Sequence, residues 1–249
     1  MSEKRYFLTL SYSGKNYYGW QSQPSGNTVQ DVLNKALSVI LKEEIIATGA
    51  GRTDTGVHAK YFIAHFDTIS LINDKKKFLY NLNGILPVDI AVYKIVEVDS
   101  DKHARFSAIS RTYKYFVSKQ KDPFKLHSHH FIYGKLDLDK MNKATNLLFN
   151  YKDFTSFSKL HTDVKTNICK IINAEWQEKE DELIFTITAD RFLRNMVRSI
   201  VGTLIDVGFG KISVDDFKII IEKKDRGEAG TSSPAKGLFL WDIEYPFEV

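Results

Sequence analysis

A single cysteine, Cys169, stands among 249 residues. This excludes an intrachain disulfide and any zinc site built from several thiolates, and it fits a reducing compartment. No run of about 18 apolar residues is present to cross a bilayer, so no membrane partner is expected. No export signal is expected either, because Glu3 and the alternating stretch Arg5–Tyr12 stand where a signal peptide needs a long apolar core. Nor is there a large excess of charge of one sign. The formal net charge is +4, which favours a polyanion but falls far short of a histone-like charge density. What remains is expected to be a cytoplasmic globular protein, long enough for one large core or two smaller ones.

The chain has a strong alternation of strand and helix periods. Arg5–Tyr12 reads R-Y-F-L-T-L-S-Y, a strand period. Thr28 opens a helix in which Val29, Val32, Leu33, Ala36, Leu37, Ile40 and Leu41 share a face, with Asp31 placed for a capping box. Ile45–Ala50 and Tyr61–Asp67 are β-type runs around a turn-rich tip. A helix is expected over Lys76–Leu86, stopped by Pro87, and Ile90–Asp99 is again β-branched. The second half repeats the order without the sequence. Strands are expected at Thr112–Lys119, Ile168–Glu178, Glu182–Ala189 and Leu238–Tyr245, and helices at Leu138–Asn150, Arg191–Val207 and Val214–Lys223. The expected class is α+β: two ferredoxin-like β-α-β-β-α-β halves, residues 1–104 and 105–249, forming a mixed, mainly antiparallel sheet with a central cleft.

Chemistry concentrates in Gly49–Ala59, G-A-G-R-T-D-T-G-V-H-A, which displays one acid and one base between two strands. In extended backbone Arg52 and Asp54, at i and i+2, face the same side, and glycines let a bulky ligand approach the backbone. The residues alone leave two readings open, a polar hairpin tip with a surface ion pair or a carboxylate site. No second acid is conspicuous, which argues against glycoside hydrolysis by a carboxyl pair. Arg191, Arg194 and Arg198 fall at i, i+3 and i+7 of the expected helix, either a solvated basic face or one turned to phosphates. Tyr113 is either a half-buried strand aromatic or a stacking face for a base.

At the Asp54 loop the sequence resembles the tRNA pseudouridine synthase A family, whose catalytic motif is usually written G-R-T-D-A-G-V-H-A. Six further segments resemble family blocks in the same order: Tyr17–Gln21 (Y-Y-G-W-Q), Ala104–Ala108 (A-R-F-S-A), Arg111–Tyr115 (R-T-Y-K-Y), Asp153–Phe157, Phe192–Arg198 and Gly237–Leu240. The resemblance implies the pseudouridine synthase fold and isomerisation of uridine to pseudouridine in the anticodon stem-loop of tRNA, at positions 38 to 40. It also implies a homodimer and no cofactor or metal. By the same resemblance Asp54 is the catalytic aspartate, with Arg52 beside it and Arg198 as its basic partner. Tyr113 lies against the target base, and Arg191, Arg194 and Leu238 are substrate-binding. Tyr17, Tyr18 and Trp20 are expected to contact RNA.

Two departures from the family pattern stand out. Thr55 replaces a usual alanine, and Cys169 falls where many members carry arginine, which puts in doubt an RNA contact near Lys165–Lys170. His127-Ser128-His129-His130 has no Cys, Asp or Glu in the next few residues and is read as a polar loop rather than a metal cluster. His58 is expected to be a structural hydrogen-bonder.

Overall fold

The computed structural model describes residues 3–24, 26–159 and 166–249. The chain folds as two compact units, Met1–Ile109 with Leu240–Val249, and Ser110–Phe239.

The first unit runs β1 (Lys4–Tyr12), α1 (Val29–Leu41), β2 (Thr48–Gly49), β3 (His58–Thr68), α2 (Lys75–Ile85) and β4 (Ile90–Val98). β1 pairs antiparallel with β3 and with β4, and β2 pairs antiparallel with β3. This gives the order β4-β1-β3-β2, the split β-α-β arrangement expected from the element succession. Tyr6, Phe7 and Leu8 are buried in succession, so β1 has two covered faces rather than one wet one. Phe7 lies against the rings of Tyr245 and Phe247, at 5.9 and 6.0 Å, which is how the C-terminal segment joins this unit. The Ile109 N–H donates to Glu244 O at 2.9 Å, and the Tyr245 hydroxyl donates to Ala104 O. The division expected between residues 104 and 105 therefore falls later, after Ile109, and Leu240–Val249 returns to the first unit.

α1 forms where its apolar stripe predicts, burying Val29, Leu33, Ala36 and Leu37. Its cap is half of a capping box. Thr28 Oγ1 accepts from Asp31 N at 3.2 Å, but the Asp31 carboxylate takes the Thr28 hydroxyl rather than its backbone N–H.

The second unit runs β5 (Ser110–Ser118), β6 (His130–Phe131), α3 (Leu138–Leu147), β7 (Ile171–Lys179), β8 (Glu182–Ala189), α4 (Met196–Gly208) and α5 (Val214–Lys223). It reaches the first two residues of β9 (Leu238–Glu244). β8 pairs antiparallel with both β5 and β7, repeating the strand placement of the first unit. β6 pairs parallel with β5, Val117 opposite His130, so the strands are mixed but mainly antiparallel. That short strand was not expected in the histidine stretch. It is held by Ile132 N donating to Ser118 O at 3.1 Å and by Glu182, which accepts from Lys125 at 2.6 Å and faces His129 at 3.2 Å.

The first unit also carries a pH-sensitive centre. His65 is buried, its Nδ1 accepts from Ala104 N at 3.1 Å, and its ring meets that of His103 at 4.6 Å. Burial, and then the charges of Arg5 and His103, pull its pKa from 6.5 down to about 4. Below pH 6.5 the unfolded chain therefore takes a proton that the folded chain refuses until about pH 4. The sign follows: stability is complete above pH 6.5 and falls as the pH drops through that window. Urea unfolding at pH 7.5 and 4.5 should show the wild type losing about 2–3 kcal/mol more than His65→Asn, at roughly 1.4 kcal/mol per pKa unit. Equal losses in the two proteins would show that His65 titrates normally in the fold.

Candidate active site

Asp54 sits in the loop between β2 and β3, and its surroundings explain why the loop has one shape. Thr53 is buried, its Oγ1 at 2.9 Å from the Tyr12 hydroxyl. Of the residues on either side, Arg52 is exposed and Asp54 half-buried. The segment Gly14–Gln21 is laid along the loop backbone. Trp20 N donates to Thr53 O at 3.4 Å, Gly56 N to Tyr17 O at 3.3 Å, and Val57 N closes a turn on Asp54 O at 3.1 Å. The approach is close enough to dictate glycine. At Gly19, with φ +92°, an added Cβ would lie 2.2 Å from Thr53 O, and at Gly14 one would lie 2.0 Å from Val57 O. His58 is buried and its Nδ1 accepts from Gly14 N at 3.1 Å, the structural role expected of it.

Two expectations are corrected here. Tyr17 and Trp20 are not RNA contacts, since both are buried. Trp20 packs on Phe62 at 4.2 Å between ring centroids, and the Tyr17 hydroxyl donates to Asp89 at 2.6 Å. Their sequence segment is read better as the brace of the Asp54 loop, and of its three aromatic residues only Tyr18 is exposed. Second, among the described residues no ion pair joins Arg52 to Asp54. The backbone bends at Ala50–Gly51 and turns at Thr55–Gly56, so the segment is a loop rather than a continuous strand.

In the second unit the expected helix over Arg191–Val207 begins only at Met196, because Asn195 takes a left-handed φ of 66°. Arg191 and Arg194 therefore precede the helix and share no helical face with Arg198. Arg191 N and Lys170 N both donate to Asp190 Oδ1, at 2.7 and 2.8 Å, and Arg194 is exposed. Arg198 lies in the first turn of α4 and is held from both ends of its residue. Its Nε donates to Ser233 O at 2.7 Å, and Ser233 N donates back to Arg198 O at 3.0 Å.

This strap, Thr231–Pro234, was missed in the sequence, where it reads as part of a polar loop. Asn195 Nδ2 donates to Ser232 Oγ at 2.6 Å, and the Tyr115 hydroxyl donates to Pro234 O at 2.9 Å. The available signal was Gly202 inside an apolar helix, where a Cβ would meet Thr231 O at 1.9 Å. Tyr113 shares a strand face with Tyr115, is half-buried, and meets Phe192 edge-on at 5.0 Å and 86°. Leu238 is buried at the start of β9. The Cys169 side chain is fully buried, and burial pushes its thiol up to about 12. Lys165, in the doubtful RNA contact, lies outside the described residues, whereas Lys170 is exposed.

A carboxylate on a glycine-dependent loop, in an α+β chain that also displays exposed arginines, is an arrangement able to supply carboxylate chemistry to a polyanion. The family described as tRNA pseudouridine synthase matches residues 9–107 and 146–246. A protein of Bacteroides fragilis named tRNA pseudouridine synthase A is 56% identical over 250 residues, covering 100% of this chain and 99% of that one. Proteins with the same name from Parabacteroides distasonis and Bacillus subtilis are 55% and 45% identical. They cover 99% and 95% of this chain and 98% and 97% of their own lengths. The chain belongs to the tRNA pseudouridine synthase family, isomerases that act on tRNA uridine. No helix among the described residues is long and apolar enough to cross a membrane.

Proposed function

We infer that this chain isomerises uridine to pseudouridine in the anticodon arm of tRNA, at positions 38 to 40, with Asp54 as the catalytic carboxylate. It works in the cytoplasm as a homodimer and without a cofactor. The observation that carries the reading is the brace of Tyr17–Gln21 on Thr53–Val57, which holds the Asp54 backbone in one geometry in a chain of this family. Breaking the bond from C1′ to N1, turning the base and joining C1′ to C5 needs a carboxylate that attacks the sugar or base, or one that steadies an electron-poor sugar and moves a proton. Either route expels the hydrogen of C5 and returns a proton to N1, so the product is an isomer of the substrate. Arg52 supplies positive charge beside Asp54. Arg198, fixed by Ser233, is its cationic partner. Tyr113 and Leu238 meet the extruded base, which loses its neighbours when it leaves the stack.

The test is tritium release from tRNA carrying 5-tritiated uridine. Release is expected, and its absence from every tRNA would favour a binding protein without this chemistry. Arg191 and Arg194 are assigned to phosphates. Arg191→Ala and Arg194→Ala should each weaken tRNA binding and lower the log–log salt slope by about 0.7–0.9, as loss of one phosphate contact does. Unchanged slopes in both variants would leave these arginines merely solvated.

A further inference from the structure

Outside the Asp54 loop, the turn His103–Ser107 of the first unit is held by a dense set of hydrogen bonds. His103 Nδ1 accepts from Arg105 N at 3.1 Å and Phe106 N at 3.3 Å, and Ser107 N donates to His103 O at 2.9 Å. His103 N donates to Ser107 Oγ at 2.9 Å. Beneath the turn, Ala104 is fixed by both His65 Nδ1 and the Tyr245 hydroxyl. This framework holds a large apolar ring out in water: Phe106 is 75% exposed. Its ring lies on the His103 imidazole at 4.4 Å and 36°, with the Arg105 guanidinium 5.5 Å from its centroid.

Ala104 seats the turn on the core, but a phenylalanine so exposed buries little on folding, so its ring adds little to that packing. A rigid aromatic face with a guanidinium beside it is the arrangement that stacks unpaired bases, since every base offers a π-face and the cation meets the backbone. A protein partner would call for apolar neighbours around the ring, whereas the Arg105 guanidinium and the His103 imidazole lie against it. We propose that Phe106 is a stacking post for an unpaired base of the RNA substrate, with Arg105 meeting the adjoining phosphate. The proposal deepens the tRNA reading and rests on it.

The test compares wild type with Phe106→Ala, Phe106→Leu and Phe106→Trp, each in an otherwise intact chain, for tRNA affinity, KM and kcat. Loss of one stacked base corresponds to roughly a 5- to 150-fold weaker Kd. Phe106→Ala should weaken binding by a factor in that range and raise KM with kcat little changed. Phe106→Leu should recover little, and Phe106→Trp should bind within about threefold of wild type and show added fluorescence quenching on tRNA titration. Because the ring is exposed, Tm should hold in all three, which separates lost stacking from lost folding. Wild-type affinity in Phe106→Ala overturns the proposal, as does equal rescue by leucine and tryptophan. If sedimentation shows Phe106→Ala losing self-association while keeping RNA affinity, the ring belongs to a contact between copies, which also overturns it. Tritium release by the wild type keeps these outcomes apart from failure of the catalytic reading. No release sinks the function, whereas release together with an unaffected Phe106→Ala sinks only the stacking post.

Discussion

Asp54→Asn should lower tritium release from 5-tritiated tRNA by roughly 10²–10⁴-fold or more, the range a positioned proton-handling or nucleophilic carboxylate supplies. The substitution keeps size and shape and removes only the ability to attack or accept a proton. The contacts that close and anchor the loop are made by other atoms. The turn closes through the backbone, Val57 N on Asp54 O, and Thr53 is anchored by Tyr12. Tm should therefore stay near wild type and the Kd for tRNA within about threefold, because a uniform polyanion contact is spread over many cations. Asp54→Glu offers the converse test: charge is retained but displaced by one methylene, and misplacing a reacting group by about 1 Å can reduce rate about 10²-fold. Residual activity of Asp54→Asn within tenfold of wild type would remove Asp54 as the catalyst. Loss of binding in parallel with activity would make it a substrate contact instead.

The sequence was most informative where one physical signal acts alone. The α1 stripe and the α5 span are local periodicities reinforced by their own caps, such as the reciprocal Ser213–Asp216 box, the β8 alternation is a local period of two, and all three form where their patterns predict. It was least informative where a long-range contact decides. Periodicity continues smoothly across Asn195, so a helix from Arg191 looks natural; the left-handed residue is set by the strap at Ser232, which a local window cannot contain. The aromatic segment Tyr17–Gln21 shows the same effect. Aromatics interleaved with polar residues suit an RNA surface, but whether Trp20 faces water depends on the space over Gly49, where a Cβ would lie 2.4 Å from the indole nitrogen. Of the candidate site, Asp54 itself was visible because glycines crowd it in sequence. The brace around it was not, because it is made by backbone bonds, Trp20 N to Thr53 O and Gly56 N to Tyr17 O, between segments that lie on opposite sides of α1 in the chain.

Gly19→Ala tests that brace, and it should damage catalysis without touching any side chain of the site. Two effects add. Gly19 has φ +92°, a conformation in which an L side chain is strained, by about 1–2 kcal/mol for left-handed backbone. The new Cβ would also meet Thr53 O at 2.2 Å and the Asp54 carbonyl carbon at 3.2 Å. Both are backbone atoms, so no rotamer change relieves the contact and one segment must move. The Gly19 side resists, because Gly19 O accepts from Val29 N at the start of α1 and Trp20 is buried against Phe62. The loop side has Asp54 half-buried and Thr55 exposed, so the displacement falls on the carboxylate. A shift of about 1 Å there should reduce kcat by roughly 10²-fold, with tRNA Kd changed by no more than about threefold and a stability loss of about 2–4 kcal/mol. Gly84→Ala is the matched control. It lies in α2, its Cβ would meet nothing within 4 Å, and replacing a helical glycine should raise stability by about 0.5–1 kcal/mol with kcat unchanged. Measured well below both melting temperatures, a Gly19→Ala enzyme with wild-type kcat would show that the position of Asp54 does not depend on this contact. A low kcat beside a normal Kd is the result the geometry requires.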